Sequence, residues 1–339
     1  MNKNKYLPLI LAGLCASGTA VSGTMGPVAC TSVLCAMDSP GGFYASGTGY
    51  YVKPSETGIG MVTDSWLYNV GVNSLGIPET TAISKPFNPD SKWAGSATLG
   101  YDVPMTANNI EGSYLYLNNR SHARHTFEED NSIGFGSVLF PDATVSPTPN
   151  FVSNAYLRYK LDQADLKVGR KYTDVNHNFF LHPSIGVRYA SLQHSLIFAA
   201  PGNVISKFRG AGPLFSIEGN YGLAYGFGLV GYLDYALLAG QSKAHSYVVL
   251  GSNSFSFKWP KRDRITSSAT LRIGADYKVK SMPMFSDFKI EAGYQVNQYI
   301  NSLDTIRGTI AFGGIQRING LETNSFGFRG PYVSVAVHA

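Results

Sequence analysis

The stretch SSATLRIGADYKVK, residues 267–280, alternates with a period of two. Ala269, Leu271, Ile273, Ala275, Tyr277 and Val279 are apolar, and Thr270, Arg272, Gly274, Asp276 and Lys278 fill the positions between them. Successive side chains of a β-strand point to opposite faces, so this run makes one greasy face and one charged face. Two folds accept such a strand. A soluble sandwich turns the greasy face into its own core, and a transmembrane barrel turns it to lipid and keeps the charged face in its lumen.

The alternation recurs along the chain without helical periodicity. It predicts strands at 44–52, 92–103, 110–118, 152–172, 184–195, 206–221, 226–238, 266–280, 286–300 and 327–338. In the fourth, Leu157, Tyr159 and Leu161 share a face opposite Arg158, Lys160 and Asp162. The phase then slips at Gln163–Ala164, which predicts a bulge within one long strand. The connections sort by length: 104–109, 173–183, 222–225 and 281–285 are short, while 53–91, 119–151, 196–205, 239–265 and 301–326 are mostly long. Short and long alternate, with both termini on the short side. A sandwich has no reason to sort its connections in this way. An outer-membrane barrel keeps short turns in the periplasm and long loops outside. The expected fold is therefore all-β: a closed antiparallel transmembrane barrel of about ten strands, with eight and twelve as alternatives. Its greasy face looks outward.

Composition agrees. Charged residues are 14% of the 339, against ~25% in ordinary soluble domains, and the chain holds 21 Tyr, 19 Phe and 37 Gly. Mean hydropathy is only −0.04, as expected when half of each strand faces lipid. The start reads as a secretory signal: Lys3 and Lys5, an apolar run from Tyr6 to about Ala16, then Ala20-Val21-Ser22 as a small-x-small cleavage pattern. The expected organisation is a signal peptide at 1–22, an irregular periplasmic lead-in at 23–40 and a barrel at 41–339, located in a bacterial outer membrane as a multi-pass protein. Without Lys3 and Lys5 the 27 basic residues fall to 25 against 22 acidic ones, too mild an excess to call for nucleic acid. The expected partners are outer-membrane lipid and lipopolysaccharide, with a second copy of the chain or a host surface partner as further candidates. Cys30 and Cys35 remain after cleavage, in a disulfide-permissive compartment. They close a local loop or join neighbouring chains, and the spacing does not choose between these.

The mature start GTMGPVAC, with a second Cys five residues later, resembles the Legionella major outer membrane protein family. So do LDQADLKVGRKY, HPSIGVRYASL and SKFRGAGPLFSIEGNYGL, in order between residue 23 and about 240, and a weaker RIGADY beyond them. The resemblance implies a barrel surface protein with porin-like activity, associated in some members with disulfide cross-linking and host-cell contact. It also matches Cys30 and Cys35 to the family's cysteine positions. The chain departs from the outer-membrane habit of a terminal aromatic by ending in His338-Ala339.

Chemistry beyond a channel finds little support. GFGLVG at 226–231 has the spacing of a dinucleotide loop, but it sits inside an alternating strand rather than between a strand and a helix. SHARHTFEED at 121–130 gathers His122, His125, Glu128, Glu129 and Asp130. It reads as a solvated polar loop, with divalent-cation binding as the alternative. His182 and His194 bracket one strand and His245 lies in a long connection, with no acidic pair opposite them, so no enzyme is expected. No cofactor and no metal site is expected either. The candidate site is the lumen, lined by Arg158, Lys160, Lys167, Arg188, Glu218, Asp234, Arg272, Asp276, Lys289 and Glu291. Such a lining biases ion passage if the lumen is open and closes it if opposite charges pair across a narrow interior. The leading expectation is porin-like passage of small hydrophilic solutes or ions. The alternatives are a non-conducting adhesion scaffold and, last, an outer-membrane enzyme.

Overall fold

The structure, a computed structural model, describes residues 34–37, 39–57, 62–72, 78–86, 88–126, 132–136, 152–174, 178–198, 202–250, 253–282, 285–311 and 314–338. Segment 1–22 and Cys30 lie outside these. Ten long strands follow one another: β1 (Gly42–Thr57), β2 (Lys92–Asp102), β3 (Asn108–Thr126), β4 (Val152–Arg170), β5 (Phe179–Phe198), β6 (Gly202–Gly222), β7 (Phe227–Leu250), β8 (Arg262–Met282), β9 (Phe285–Ala311) and β10 (Gly314–His338). Each pairs antiparallel with the next, and β10 pairs with β1, so the sheet closes on itself. Lipid offers no partner to backbone N–H and C=O groups, and closure removes every edge that would expose them.

The first strand follows Gly41, which takes φ of 86° against Pro104 in the adjacent turn. The turn into β7 uses positive φ at both Tyr225 and Gly226, 58° and 85°. A short strand at Leu34–Ala36 pairs with Tyr172–Asp174, so part of the segment expected to be irregular is ordered across the short-turn end. The backbone bonds Met37 N to Lys171 O at 3.0 Å and Ser39 N to Thr106 O at 3.0 Å continue that tie. Away from this end, Asn253–Lys258 folds back on β7. Val62–Val72, Pro78–Pro86 and Ser132–Gly136 form a separate three-stranded sheet from the connections after β1 and β3.

Two sequence expectations need correction. The register of β4 with β5 runs unbroken from Gly169↔Ser184 to Ala155↔Phe198, so no bulge exists at Gln163–Ala164. Much of the predicted loops 196–205, 239–265 and 301–326 is strand, and β5 and β6 are separated only by residues 199–201. Both corrections have one cause. Toward the short turns the outward side chains are apolar: Leu166 and Val168 on β4, Ile185 and Val187 on β5, Phe215 and Ile217 on β6, Leu271 and Ile273 on β8. Ile273 is 62% exposed, which a soluble protein would not tolerate across a whole belt. Ala164, Tyr189, Ala211, Ala239 and Ile265 stand in one register row and end this belt. The next outward row is Asp162, Ser191, Arg209, Gln241 and Asp263.

Beyond that row the polarity of the wall inverts. Most outward positions are polar, Tyr156 and Ile197 excepted, while Leu157, Tyr159, Leu161, Leu192, Leu196, Val204, Phe208 and Leu238 are buried inside. The period of two is kept and its sign changes, because the strands have left lipid and the hydrophobic effect now points inward. A belt of lipid-facing apolar side chains makes charge costly there and harmless above it. Leu271→Arg is expected to lower folding stability by about 2–4 kcal/mol and Gln193→Arg by under about 1 kcal/mol, measured by urea unfolding in lipid vesicles.

Candidate functional site

Alternation of closed strands decides what enters the lumen. Lys167, Arg188, Glu218, Asp234, Arg272, Asp276, Lys289 and Glu291 have inward parity and meet inside the lipid-embedded part of the barrel. Arg158 and Lys160 do not. They lie on the outward face of β4 above the apolar belt, where Arg158 Nε donates to Asn118 Oδ1 at 3.0 Å and Lys160 Nζ lies 3.2 Å from Asp162. The expectation that greasy residues face lipid holds below the polarity row and fails above it.

Each of the eight inward charges has an ionic, hydrogen-bonding or aromatic partner. Arg188, fully buried, donates from Nε and Nη2 to both oxygens of Asp165 at 2.8 Å, and reaches Ser268 Oγ at 3.0 Å and Asp234 at 3.4 Å. This fork-on-carboxylate geometry is the strongest form of the pair. Lys167 Nζ sits 2.7 Å from Glu111. Lys289 Nζ lies 3.2 Å from Glu291 and 4.0 Å from Glu218, whose other oxygen is 3.5 Å from His182 Nδ1. The Arg272 guanidinium stacks 4.0 Å from the Tyr232 ring centroid. Tyr232 and Tyr332 both donate to Glu291, at 2.8 and 2.6 Å. Asp276 accepts from Asn220 at 2.9 Å.

Sequence reading missed the groups that cross the lumen. Tyr299 Oη donates to Gln163 Oε1 at 2.6 Å, from β9 to β4, which stand opposite each other in a ring of ten. The register of β9 with β10 shifts between Tyr299 and Leu303, around Asn301, whose φ is 57°, and both side chains stay inside. Around this bond Tyr299, Phe326 and Phe328 form a buried aromatic cluster, with the Tyr159 ring 5.0 Å from Phe326. Beside it Tyr159 Oη donates to Glu56 at 2.6 Å, and His194 Nδ1 lies 3.7 Å from the same oxygen. Burial raises the Glu56 carboxyl, against the lowering effect of His194 and of the Tyr159 bond. Burial and Glu56 together push the Tyr159 hydroxyl well up.

The other motifs find plain places. Gly226 of GFGLVG is in the turn and the remainder is wall strand, with Phe227 and Leu229 outward. His122 stacks on Tyr156 at 4.5 Å on the outer surface, and Glu128, Glu129 and Asp130 lie outside the described residues. Cys35 is buried in the short strand beside Tyr172–Asp174. At the periplasmic end Lys171 donates to both Asp102 oxygens at 2.7 and 2.6 Å, with His338 Nε2 3.2 Å from the same carboxylate.

A family model described as Legionella pneumophila major outer membrane protein precursor matches residues 46–339. No curated protein matches the chain. Among solved structures, the outer membrane protease OmpT from Escherichia coli is similar at 11% identity and a TM-score of 0.49, over 90% of this chain and 99% of that one. A Pseudomonas aeruginosa FadL homologue is similar at 12% identity and 0.32, over 88% and 90%. Ail, the attachment invasion locus protein of Yersinia pestis, is similar at 12% and 0.23, over 89% and 99%.

Removing one member of a buried charge cluster strands the others. Arg188→Met is expected to cost about 3–5 kcal/mol of folding stability by leaving the buried Asp165 carboxylate without its cation. Lys160→Ala, on the wet outer wall, is expected to cost under about 1 kcal/mol in the same denaturant titration. Glu56 supplies a pH test. Its folded-state value is raised, so the folded state binds the proton more tightly than the unfolded chain. The resulting stability is fully present below the unfolded carboxyl value and is lost as pH rises through the folded one. Glu56→Gln is expected to remove that pH-dependent component and to be more stable than wild type on the alkaline side, read from unfolding midpoints across pH.

Proposed function

The chain belongs to the Legionella major outer membrane protein family and is an outer-membrane β-barrel, and from this premise we propose that it serves as a closed surface scaffold rather than as an open pore. The observation that carries this reading is the filled interior: the Tyr299–Gln163 bond crosses the lumen, and Tyr299 packs with the buried Phe326 and Phe328. Ten strands stand near the size at which side chains fill a barrel, well short of the sixteen or so that leave a wide aqueous channel. In this reading the β-structure above the lipid, with its three-stranded sheet and the Asn253–Lys258 hairpin, presents the surface to an external partner. The role is non-enzymatic.

A second reading, porin-like passage of small hydrophilic solutes or ions, is favoured by the charged lower lumen. Its mixed signs imply weak ion selectivity, and it requires the aromatic cluster to move aside. Planar-bilayer recording separates the two. Purified wild type is expected to be silent, and the Tyr299→Ala/Phe326→Ala/Phe328→Ala variant to show discrete steps. Wild-type steps that change in size with Arg272→Gln would sink the scaffold reading and establish the pore.

A further inference from the structure

The outward face of the wall just above the apolar belt carries more positive charge than the interior can account for. Lys160, Lys207 and Lys243 lie in one register row: Lys160 pairs with Gln193, Gln193 with Lys207, and Lys207 with Lys243. Arg209 stands in the row beneath and Arg158 in the row above. Strands lie ~4.8 Å apart, so β4 to β7 set these five cations on a strip roughly 15 Å wide. Asp162 offsets one charge by pairing with Lys160 at 3.2 Å. Among the described residues Lys207, Arg209 and Lys243 have no acidic partner. Lys207 faces Lys243 across the ladder, an arrangement that costs stability unless something anionic covers it. Burial, followed by the charges of Lys243 and Arg209, lowers the Lys207 ammonium.

The place of this strip decides its occupant. It adjoins Tyr189, Ala211 and Ala239, the last lipid-facing row, rather than the distant ends of the hairpins. Whatever covers it must hold an anionic group at the height where acyl chains end. On the side away from the periplasmic turns, the outer leaflet offers phosphorylated glycolipid at that height. We propose that Arg158, Lys160, Lys207, Arg209 and Lys243 form a docking strip for the phosphate groups of outer-leaflet lipid A, whose acyl chains lie along the apolar belt directly below. A soluble sulfated polysaccharide would also suit the charge, but it has no use for the adjoining greasy face.

The test compares bis-phosphorylated lipid A with the same lipid stripped of both phosphates. Each is titrated in zwitterionic bicelles onto full-length protein whose fold is checked by heat-modifiable gel mobility. Each cation near an anionic surface contributes about fivefold, so three together contribute about a hundredfold. Wild type is expected to prefer the phosphorylated lipid by about that ratio, and high salt is expected to shrink it. Lys207→Gln/Arg209→Gln/Lys243→Gln is expected to lose most of the preference while holding the stripped lipid as well as wild type does. Lys207→Arg/Lys243→Arg, a milder change to the fold, is expected to keep it, and so is Arg170→Gln at the opposite rim. A wild-type preference near one, or one unchanged in the triple glutamine variant, would overturn the proposal. So would displacement of bound lipid A by a heparin-derived oligosaccharide at equal charge concentration.

Discussion

A polypeptide in lipid has nothing but itself with which to satisfy its backbone, and the pairing of β10 with β1 meets that demand. The rest of the molecule follows from the closed ring. Once every strand has two neighbours, each residue points either in or out, and parity alone sends Arg188, Asp234 and Arg272 to one side and Tyr189, Leu233 and Leu271 to the other. The inward charges are then crowded together inside the ring. They meet as forks, stacks and tyrosine bonds because a lone buried charge is far more costly than a paired one.

The same wall serves two solvents. Within the lipid, apolar side chains gain nothing by turning inward, so the lumen is free to be polar. Above it, water wets the outside, and inward side chains such as Leu161, Leu192, Phe208 and Leu303 make an ordinary packed core. That core gives the tall hairpins a rigid base, so the part of the molecule facing the exterior is held by tertiary packing and not by backbone pairing alone. It also explains why the interior is filled where a channel would need its widest mouth.

Segments 266–280 and 286–300 were legible because apolar and polar positions contrast sharply there and the greasy face meets lipid for nearly their full length. The upper half of β4 was equally periodic yet misplaced. Leu157, Tyr159 and Leu161 look the same in sequence whether they face lipid or a core, and only the surrounding strands show which. The change of sign at Gln163–Ala164 imitated a bulge. Strand ends beyond the belt, such as 196–205, were read as loops because mixed outward residues weaken the alternation. The inward charges of the lower lumen came from parity alone, but their partners did not. The Tyr299–Gln163 bond joins residues 136 apart, and no local pattern announces it.

The seam between the first and last strands sets an order of events. Thr48 Oγ1 donates to Ser334 Oγ at 2.9 Å across 286 residues of chain, and nothing between them can complete the ring. Until β10 has been synthesised and delivered, β1 carries a bare hydrogen-bonding edge that neither water-excluding lipid nor any other strand of the chain covers. The chain therefore cannot thread into the membrane from its N-terminus one hairpin at a time. Closing the β1–β10 seam and burying that edge in lipid are thereby coupled events.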